Sequence, residues 1–228
     1  MLPFDLKSDK PFDEITLEEF QSGQVLRVDK PLDWTSFQVV NKIRWNIRKD
    51  HNIKKIKVGH AGTLDPLATG LLVICTGKKT KEIDSFQGQE KEYTGTFVLG
   101  GTTPSFDLET EIDNTFPTEE ITEEDLQKAV EELSGEITQY PPVFSAVKIN
   151  GKRAYESARK GEEIKMNPRV VTVSKFEIDS SNFPAIDFTI VCSKGTYIRT
   201  IASDFGKILK NGAHLSALRR ERIGEFRV

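Results

Sequence analysis

The chain has 228 residues, 37% hydrophobic and 29% charged, as expected of a soluble globular protein with one sizeable domain or a domain with a small appendage. No stretch approaches the roughly 18 apolar residues that a membrane span needs, and the acid-containing start MLPFDLKSDKPFDE is unlike a secretory signal. The net charge of −3 speaks against a nucleic-acid partner, but only as a total.

The distribution reverses that reading. Arg27 to Lys81 carries twelve Lys/Arg and four acids, whereas Thr102 to Glu136 carries twelve acids and one lysine. Ser145 to Lys175 and Lys194 to Arg227 each carry eight basic residues against three acids. Salt hides charges beyond roughly 8–10 Å, so a polyanion would feel the local patches and not the sum. Ordinary solvated surface is the plainer explanation of the same charges. The two cysteines, Cys75 and Cys192, sit in apolar or β-rich runs and read as buried, reduced thiols. A cytoplasmic protein is the expectation.

In chain order, the first 23 residues read as an extension with a short helix at ITLEEFQSG, capped by Thr16 and stopped by Gly23. VLRVDKP is a short strand. WTSFQVVNKIRWNIRKD follows a helical spacing through Phe37, Val40, Ile43, Arg44 and Ile47, with Ser36 as the expected N-cap. KKIKVGHAGTLDPLATGLLVICTGKKTK is a loop of small residues ending in a hydrophobic strand, Leu71 to Cys75. Lys91 to Gly100 alternates as a strand, and TTPSFDLETEIDN is a loop. TEEDLQKAVEELSGEI is an amphipathic helix with Thr122 as N-cap and Gly135 as its stop. QYPPVFSAVKINGKRAYESARKGEEIKMNP carries a Pro-Pro, a short strand, an Asn150-Gly151 turn and a basic helical piece. Two strands follow, RVVTVSKFEI and AIDFTIVCS, then a turn into a helix at KGTYIRTIASDFGKILKN, then the basic, strand-ending HLSALRRERIGEFRV. Helices and strands mix without βαβ alternation, which predicts an α+β protein with one largely antiparallel mixed sheet and flanking helices.

The segment richest in chemistry is GHAGTLDPLATG, residues 59–70. Its three glycines permit close backbone approach. Asp65 precedes a proline and is held out of the helical region, so its carboxylate can face a ligand. An Asx-type turn, in which Asp65 bonds its own backbone, is the plainer alternative. His60 alone reads as a packed or capping histidine.

GHAGTLDPLATGLLVICTGKKTK resembles the catalytic motif of the TruB family, which makes pseudouridine at position 55 of the tRNA T-loop. VLRVDKPLDWTSFQVVNKIR precedes it, and KEYTGTFVLG, QYPPVFSAVKINGKRAYESARKGEEI, GTYIRTIASDFGKIL and HLSALRRERIGEF follow, all in the family's order. The resemblance covers roughly residues 24 to 227. It implies the pseudouridine synthase fold over 24–228, with an insertion at about 140–168 that closes over RNA; many family members continue into a C-terminal domain of the PUA type where this sequence stops at Val228, so that domain is either naturally absent or trimmed here. It departs in three places: Asp33 where glycine is usual, Ala61 where threonine is common, and a basic insert, RKDHNIKKIK, before the motif.

By this resemblance Asp65 is the catalytic nucleophile. Arg199 is the guanidinium that pairs with it, and Tyr93 is the active-site tyrosine that stacks on the flipped uracil. Without the family, Arg199 reads as a surface arginine, poorly placed at a helix start, and Tyr93 as a half-buried strand aromatic. Tyr197 and Leu218 match pocket positions, with core packing as the alternative. His60 would fill the space vacated by the flipped nucleotides. Lys148, Lys152, Arg153, Arg159 and Lys160 would contact phosphates, and Tyr155 would stack or pack. The acidic block of residues 107–136 would face away from RNA. The implied partner is the T-arm of tRNA, for a monomer without an obligate protein partner. No cofactor and no metal are implied, since the isomerisation needs no redox change or external group. A non-catalytic RNA-binding or tRNA-folding module, and a synthase with another RNA target, remain open beside this reading. A carboxylate glycosidase would need a second placed acid, and the motif assigns none.

Overall fold

The computed structural model describes residues 2–145, 147–149, 152–154 and 166–228, with the side chains of Lys148, Ile149, Lys152 and Arg153 excluded. Two compact units divide the chain: Met1–Tyr93 with Leu218–Val228, and Thr94–Ala217. The boundaries fall inside two strands, β5 (Lys91–Leu99) and β13 (Ala213–Ile223), and not in a linker.

In the first unit β1 (Leu6–Lys7) pairs antiparallel with β2 (Val25–Lys30), and β2 with β4 (Ala68–Thr76). The other edge of β4 changes partner along its length. Leu218–Arg220 of β13 run parallel to Ala68–Gly70, whereas β3 (Val58–His60) runs antiparallel to Ile74–Thr76. The residues between β3 and β4, 61–67, therefore leave the sheet where its edge is shared between two strands. β14 (Phe226–Arg227) closes on the end of β13.

Helix α1 (Leu17–Ser22) starts at a Thr16 capping box and ends at Gly23, as its sequence predicts. Helix α2 (Ser36–Asp50) buries Val39, Val40, Ile43 and Ile47 in a core with Leu26, Val28, Val58, Leu72 and Ile74. Two expectations for α2 fail. Its N-cap is Thr35, whose hydroxyl accepts from Gln38 N, while Ser36 is already helical and turns inward. Phe37 is 63% exposed, because Val39 and Val40 set the buried stripe and position 37 falls outside it. From the first 23 residues, Leu2, Phe4, Leu6 and Phe12 pack against the core that holds Ile15 and Phe20. A 3₁₀ turn (Gly77–Glu82) and α3 (Ile83–Gly88) follow β4.

In the second unit β8 (Gly135–Gln139), β11 (Arg169–Asp179) and β12 (Ala185–Cys192) pair antiparallel. Two hairpins, β6 (Gly101–Thr102) with β7 (Asn114–Thr115) and β9 (Lys148–Ile149) with β10 (Lys152–Arg153), stand apart. The β6–β7 hairpin lies in the segment expected to be loop. Helices α4 (Glu123–Glu132) and α5 (Ile198–Ile208) complete the unit, with Thr122 capping α4 as expected. The core is aromatic: Phe97 stacks on Phe188 at 4.2 Å, and Phe176 and Phe205 meet Phe97 at tilted or edge angles. Cys75 and Cys192 are buried and form no disulfide, as expected. The α+β class with mixed, mainly antiparallel pairing also agrees with the expectation. Among the described residues, no helix is long and apolar enough to cross a membrane.

Candidate active site

Asp65 sits half-buried on the 61–67 loop, at the start of a turn in which its carbonyl accepts from Ala68 N at 3.1 Å. Three buried side chains from elsewhere in the first unit hold this loop. The Ser36 hydroxyl accepts from Leu64 N at 2.8 Å and donates to Leu64 O at 3.0 Å. Arg220, fully buried on β13, donates from Nε to Leu71 O at 2.8 Å and from its terminal nitrogens to Gly62 O at 3.1 Å and Thr63 O at 3.4 Å. Its guanidinium thus occupies the stretch of β4 edge between the two strand partners. The planar fork suits three divergent carbonyls, which an ammonium could not span at fixed angles.

Lys30, the last residue of β2, is also fully buried. Its ammonium donates to Pro31 O at 2.8 Å, Trp34 O at 2.6 Å and Pro66 O at 3.3 Å. Burial pulls its pKa down to about 8. The charge of Asp65, then that of Asp33, opposes the fall, and the charge of Arg220 adds to it. Asp65 therefore stands within the field of the buried Lys30 charge. Sequence reading missed both Lys30 and Arg220. Their only signal was a charged residue at an inward-facing strand position.

Asp33 adopts φ +63°, a left-handed conformation that Asp tolerates better than most residues, and its N–H bonds Pro66 O at 2.9 Å. Gly70 (φ +95°) has no room for a side chain, since a Cβ there would lie 2.3 Å from Arg220 O. Ala61 is fully buried with Leu71, Val73 and Ile223, and its N–H bonds Val73 O at 2.8 Å.

The other expected residues divide between the units. His60 ends β3, half-buried, with its pKa lowered first by burial and then by the Arg220 charge, against a hydrogen bond with the Gly62 backbone. Leu218, half-buried, pairs with Ala68, so β13 delivers it beside the end of the Asp65 loop. Tyr93 is 8% exposed on β5, more buried than a half-exposed strand aromatic. In the second unit Arg199 is 4% exposed on the first turn of α5, which rules out the surface-arginine alternative. It donates to Ser105 O at 3.2 Å and Phe144 O at 3.0 Å, and its Nε lies 3.5 Å from the buried carboxylate of Asp107. Asp107 belongs to the acidic block, yet it points inward as a counter-charge. Nothing in its sequence context separated it from its solvated neighbours. Tyr197, the N-cap position of α5, lies under Arg169 at 5.4 Å, and Gln139 bonds its backbone N–H at 3.0 Å and carbonyl at 3.3 Å.

Lys148, Lys152 and Arg153 lie on the β9–β10 hairpin, as the Asn150-Gly151 spacing suggested; their side chains, and Tyr155, Arg159 and Lys160 altogether, lie outside the described residues. Among the described residues no three His, Cys, Asp or Glu side chains gather as a metal-ligand set.

Solved structures give this arrangement its class. The chain resembles a Cbf5-Nop10-Gar1 complex (TM-score 0.68, 28% identity) and an H/ACA RNP bound to a substrate RNA containing 2′-deoxyuridine (TM-score 0.64, 25% identity). Each likeness covers 99% of this chain and about 60% of the solved chain. The fold is that of a pseudouridine synthase. Residues 48–198 match the model of the TruB family pseudouridylate synthase N-terminal domain, and the chain belongs to that family. It is 59% identical over 215 residues to the tRNA pseudouridine synthase B of Flavobacterium johnsoniae, covering 94% of each chain. It is 56% identical to that of Phocaeicola vulgatus, covering 92% of this chain and 89% of the relative.

Proposed function

We propose that this protein is a tRNA pseudouridine synthase that isomerises uridine 55 of the T-loop. Its substrate is the T-arm of tRNA, and it works in the cytoplasm as a monomer without an obligate protein partner. The relatives' shared name supports the substrate, and the Asp65 loop supports the chemistry. In the reaction the N1–C1′ bond breaks, C5 bonds to C1′, the C5 proton leaves and N1 gains one. Atoms and electrons balance within the uridine, so no cofactor enters.

Asp65 is the nucleophile of this reading. The carrying observation is its placement on a braced loop within reach of the Lys30 charge. An aspartate covered by a base loses solvation and tends to take up a proton. Lys30 and Arg220, whose hydrogen bonds among the described residues go to carbonyls, oppose that. Arg199 is the further cation assigned to Asp65, Tyr93 the ring that stacks on uracil, and Tyr197 and Leu218 are pocket walls. Flipping the base costs a few kcal/mol, which stacking at roughly 1–3 kcal/mol per base helps offset. His60 fills the vacated stack, and Lys148, Lys152, Arg153, Tyr155, Arg159 and Lys160 contact the RNA.

The test is tritium release from T-arm RNA labelled at uridine C5. The parent protein turns over and Asp65→Asn releases essentially none, while still binding the RNA. Turnover retained by Asp65→Asn would remove the nucleophile assignment. A parent that binds the RNA without releasing tritium would make the protein a binding module.

A further inference from the structure

The first unit holds a second basic feature, built in part from segments that flank the Asp65 loop in sequence. A groove of about 720 Å³ lies between the C-terminal half of α2, the segment after it and the 3₁₀ turn that follows β4. Arg44 and Arg48 line it from α2, Lys54, Lys55 and Lys57 from the segment, and Lys78 and Lys81 from the turn. Seven of its ten lining residues are basic and none is acidic, so the groove concentrates one sign of charge. None of the seven forms an ion pair among the described residues, whereas the neighbouring Lys79 is taken by Glu82 at 2.7 Å. Arg44 is held by neutral acceptors, Asn41 Oδ1 at 2.7 Å and Val58 O at 2.9 Å, which orient its guanidinium without cancelling its charge.

Solvated lysines on a convex surface would need no explanation. Here the walls are tied together. Gly77 N donates to Lys57 O at 2.9 Å, which joins the turn to the segment, and Ile53 N donates to Arg48 O at 3.0 Å, which joins the segment to the helix. Gly77 (φ +50°) lets the turn lie so close to α1 that a Cβ would sit 2.1 Å from Gln21 O. Like charges are thus held around one concavity at a repulsive cost that a polyanion would relieve. Half of the groove's lining comes from one segment, RKDHNIKKIK, through Arg48, Lys54, Lys55, Ile56 and Lys57.

We infer that this groove docks the phosphodiester backbone of the RNA stem that adjoins the modified loop. The inference rests on the reading of Asp65 given above. Helix α2 supplies the geometry: Ser36 at its start bonds Leu64, next to Asp65, and Arg48 lies twelve residues on, roughly 18 Å along the axis. An RNA with its loop at Asp65 would carry its stem phosphates over such a distance. A single small anion needs far fewer than seven cations; a row of phosphates uses them all.

The experiment uses the full chain and fluorescence anisotropy with two labelled RNAs, a T-arm with its full stem and the same loop on a two-base-pair stem. Lys54→Gln/Lys55→Gln/Lys57→Gln and Lys78→Gln/Lys81→Gln change exposed side chains only, and unchanged melting temperatures establish that the variants fold. For the full stem, each variant should raise Kd at least tenfold at about 0.15 M salt. The slope of log K against log salt should become shallower by up to about 1.8 in the double variant and about 2.7 in the triple, since each duplex phosphate contact contributes about 0.9. The short-stem Kd should change less than twofold, and tritium release at saturating RNA should stay at the parent's rate. An unchanged Kd and slope with the full stem overturn the inference, and so does equal weakening with both stems. Loss of binding to phosphatidylglycerol vesicles, with RNA binding kept, assigns the groove to a lipid surface and also overturns it. Full-stem binding that depends on the groove, in a parent that releases no tritium, sinks the enzymatic reading and leaves the docking surface standing.

Discussion

The hydroxyl of Ser36 grips the backbone of Leu64 from both sides, accepting from its N–H at 2.8 Å and donating to its carbonyl at 3.0 Å. One buried side chain thereby satisfies two main-chain groups of the residue before Asp65 and ties the loop to the first turn of α2. Removing it leaves a buried donor and acceptor unpaired, which costs roughly 1–3 kcal/mol per unsatisfied group. Ser36→Ala should therefore lower unfolding stability by about 2 kcal/mol in urea titrations. It should reduce the rate of tritium release at saturating RNA more than it raises KM, because the loss falls on the placement of the carboxylate. A variant with parental stability and rate would show that the loop is set by Arg220 and Lys30 alone.

Lys30 gives the site a pH signature. Its folded pKa of about 8 lies below its ordinary value of 10.5 because the charged form is buried. Between these values the unfolded chain holds a proton that the folded chain has released, so stability contributed by this group rises with pH across that window. The full difference amounts to about 3 kcal/mol. Lys30→Met should abolish this rise, read as the parent-minus-variant difference in unfolding free energy between pH 8 and 10. Activity should move the opposite way in the parent and decline above pH 8, as Asp65 loses a neighbouring positive charge. A parent-minus-variant difference that is flat with pH would mean that Lys30 keeps its proton, and its charge, in the fold up to pH 10.

The elements were legible where local rules govern them. Thr16 and Thr122 carry complete capping boxes, and the alternation of Lys91–Leu99 and the apolar run ending at Cys75 both became strands. The misreadings share a cause. Thr35 and Ser36 are both acceptable caps, and only the tertiary contact with Leu64 decides between them. The acidic block looked uniformly solvated, yet Asp107 is drawn inward by a partner 92 positions away. Lys30 and Arg220 looked like surface charges because burial of a cation against carbonyls from distant loops leaves no local pattern. Asp65 stood out by its Gly-rich, Pro-followed setting, but its role came from the family motif. Its bracing came only from the structure.

Arg199 and Asp107 form a buried pair whose geometry leaves little slack. The guanidinium also serves the Ser105 and Phe144 carbonyls, and Asp107 is the counter-charge at its Nε. Removing one partner of such a pair weakens the compensation of the charge that stays buried, at a cost of up to roughly 3–5 kcal/mol. Asp107→Asn, which preserves volume, should lower stability by up to about that amount in urea titrations. Arg199→Ala should lose most tritium release while RNA affinity falls less, and Arg199→Lys should not restore the rate, since an ammonium cannot reproduce the fork. Equal losses of rate and affinity in Arg199→Ala would make the residue an RNA anchor.

His60 should titrate below the ordinary histidine range. Burial is the larger cause and the charge of Arg220 the smaller, and both disfavour the imidazolium. A lowered folded pKa means that the unfolded chain takes up the proton first as pH falls. The stability tied to His60 is therefore complete above about pH 6.5 and is lost progressively below it. The chain has only three histidines, so the C2–H resonance of His60 can be identified by its absence in His60→Gln. Its midpoint should lie below 6.5, and the parent should lose more stability than His60→Gln between pH 6.5 and 5. The same neutral ring is what the proposed role requires, since an uncharged, half-buried imidazole can fill a vacated base stack at little desolvation cost. A midpoint at or above 6.5 would place the ring in solvent and remove it from that role.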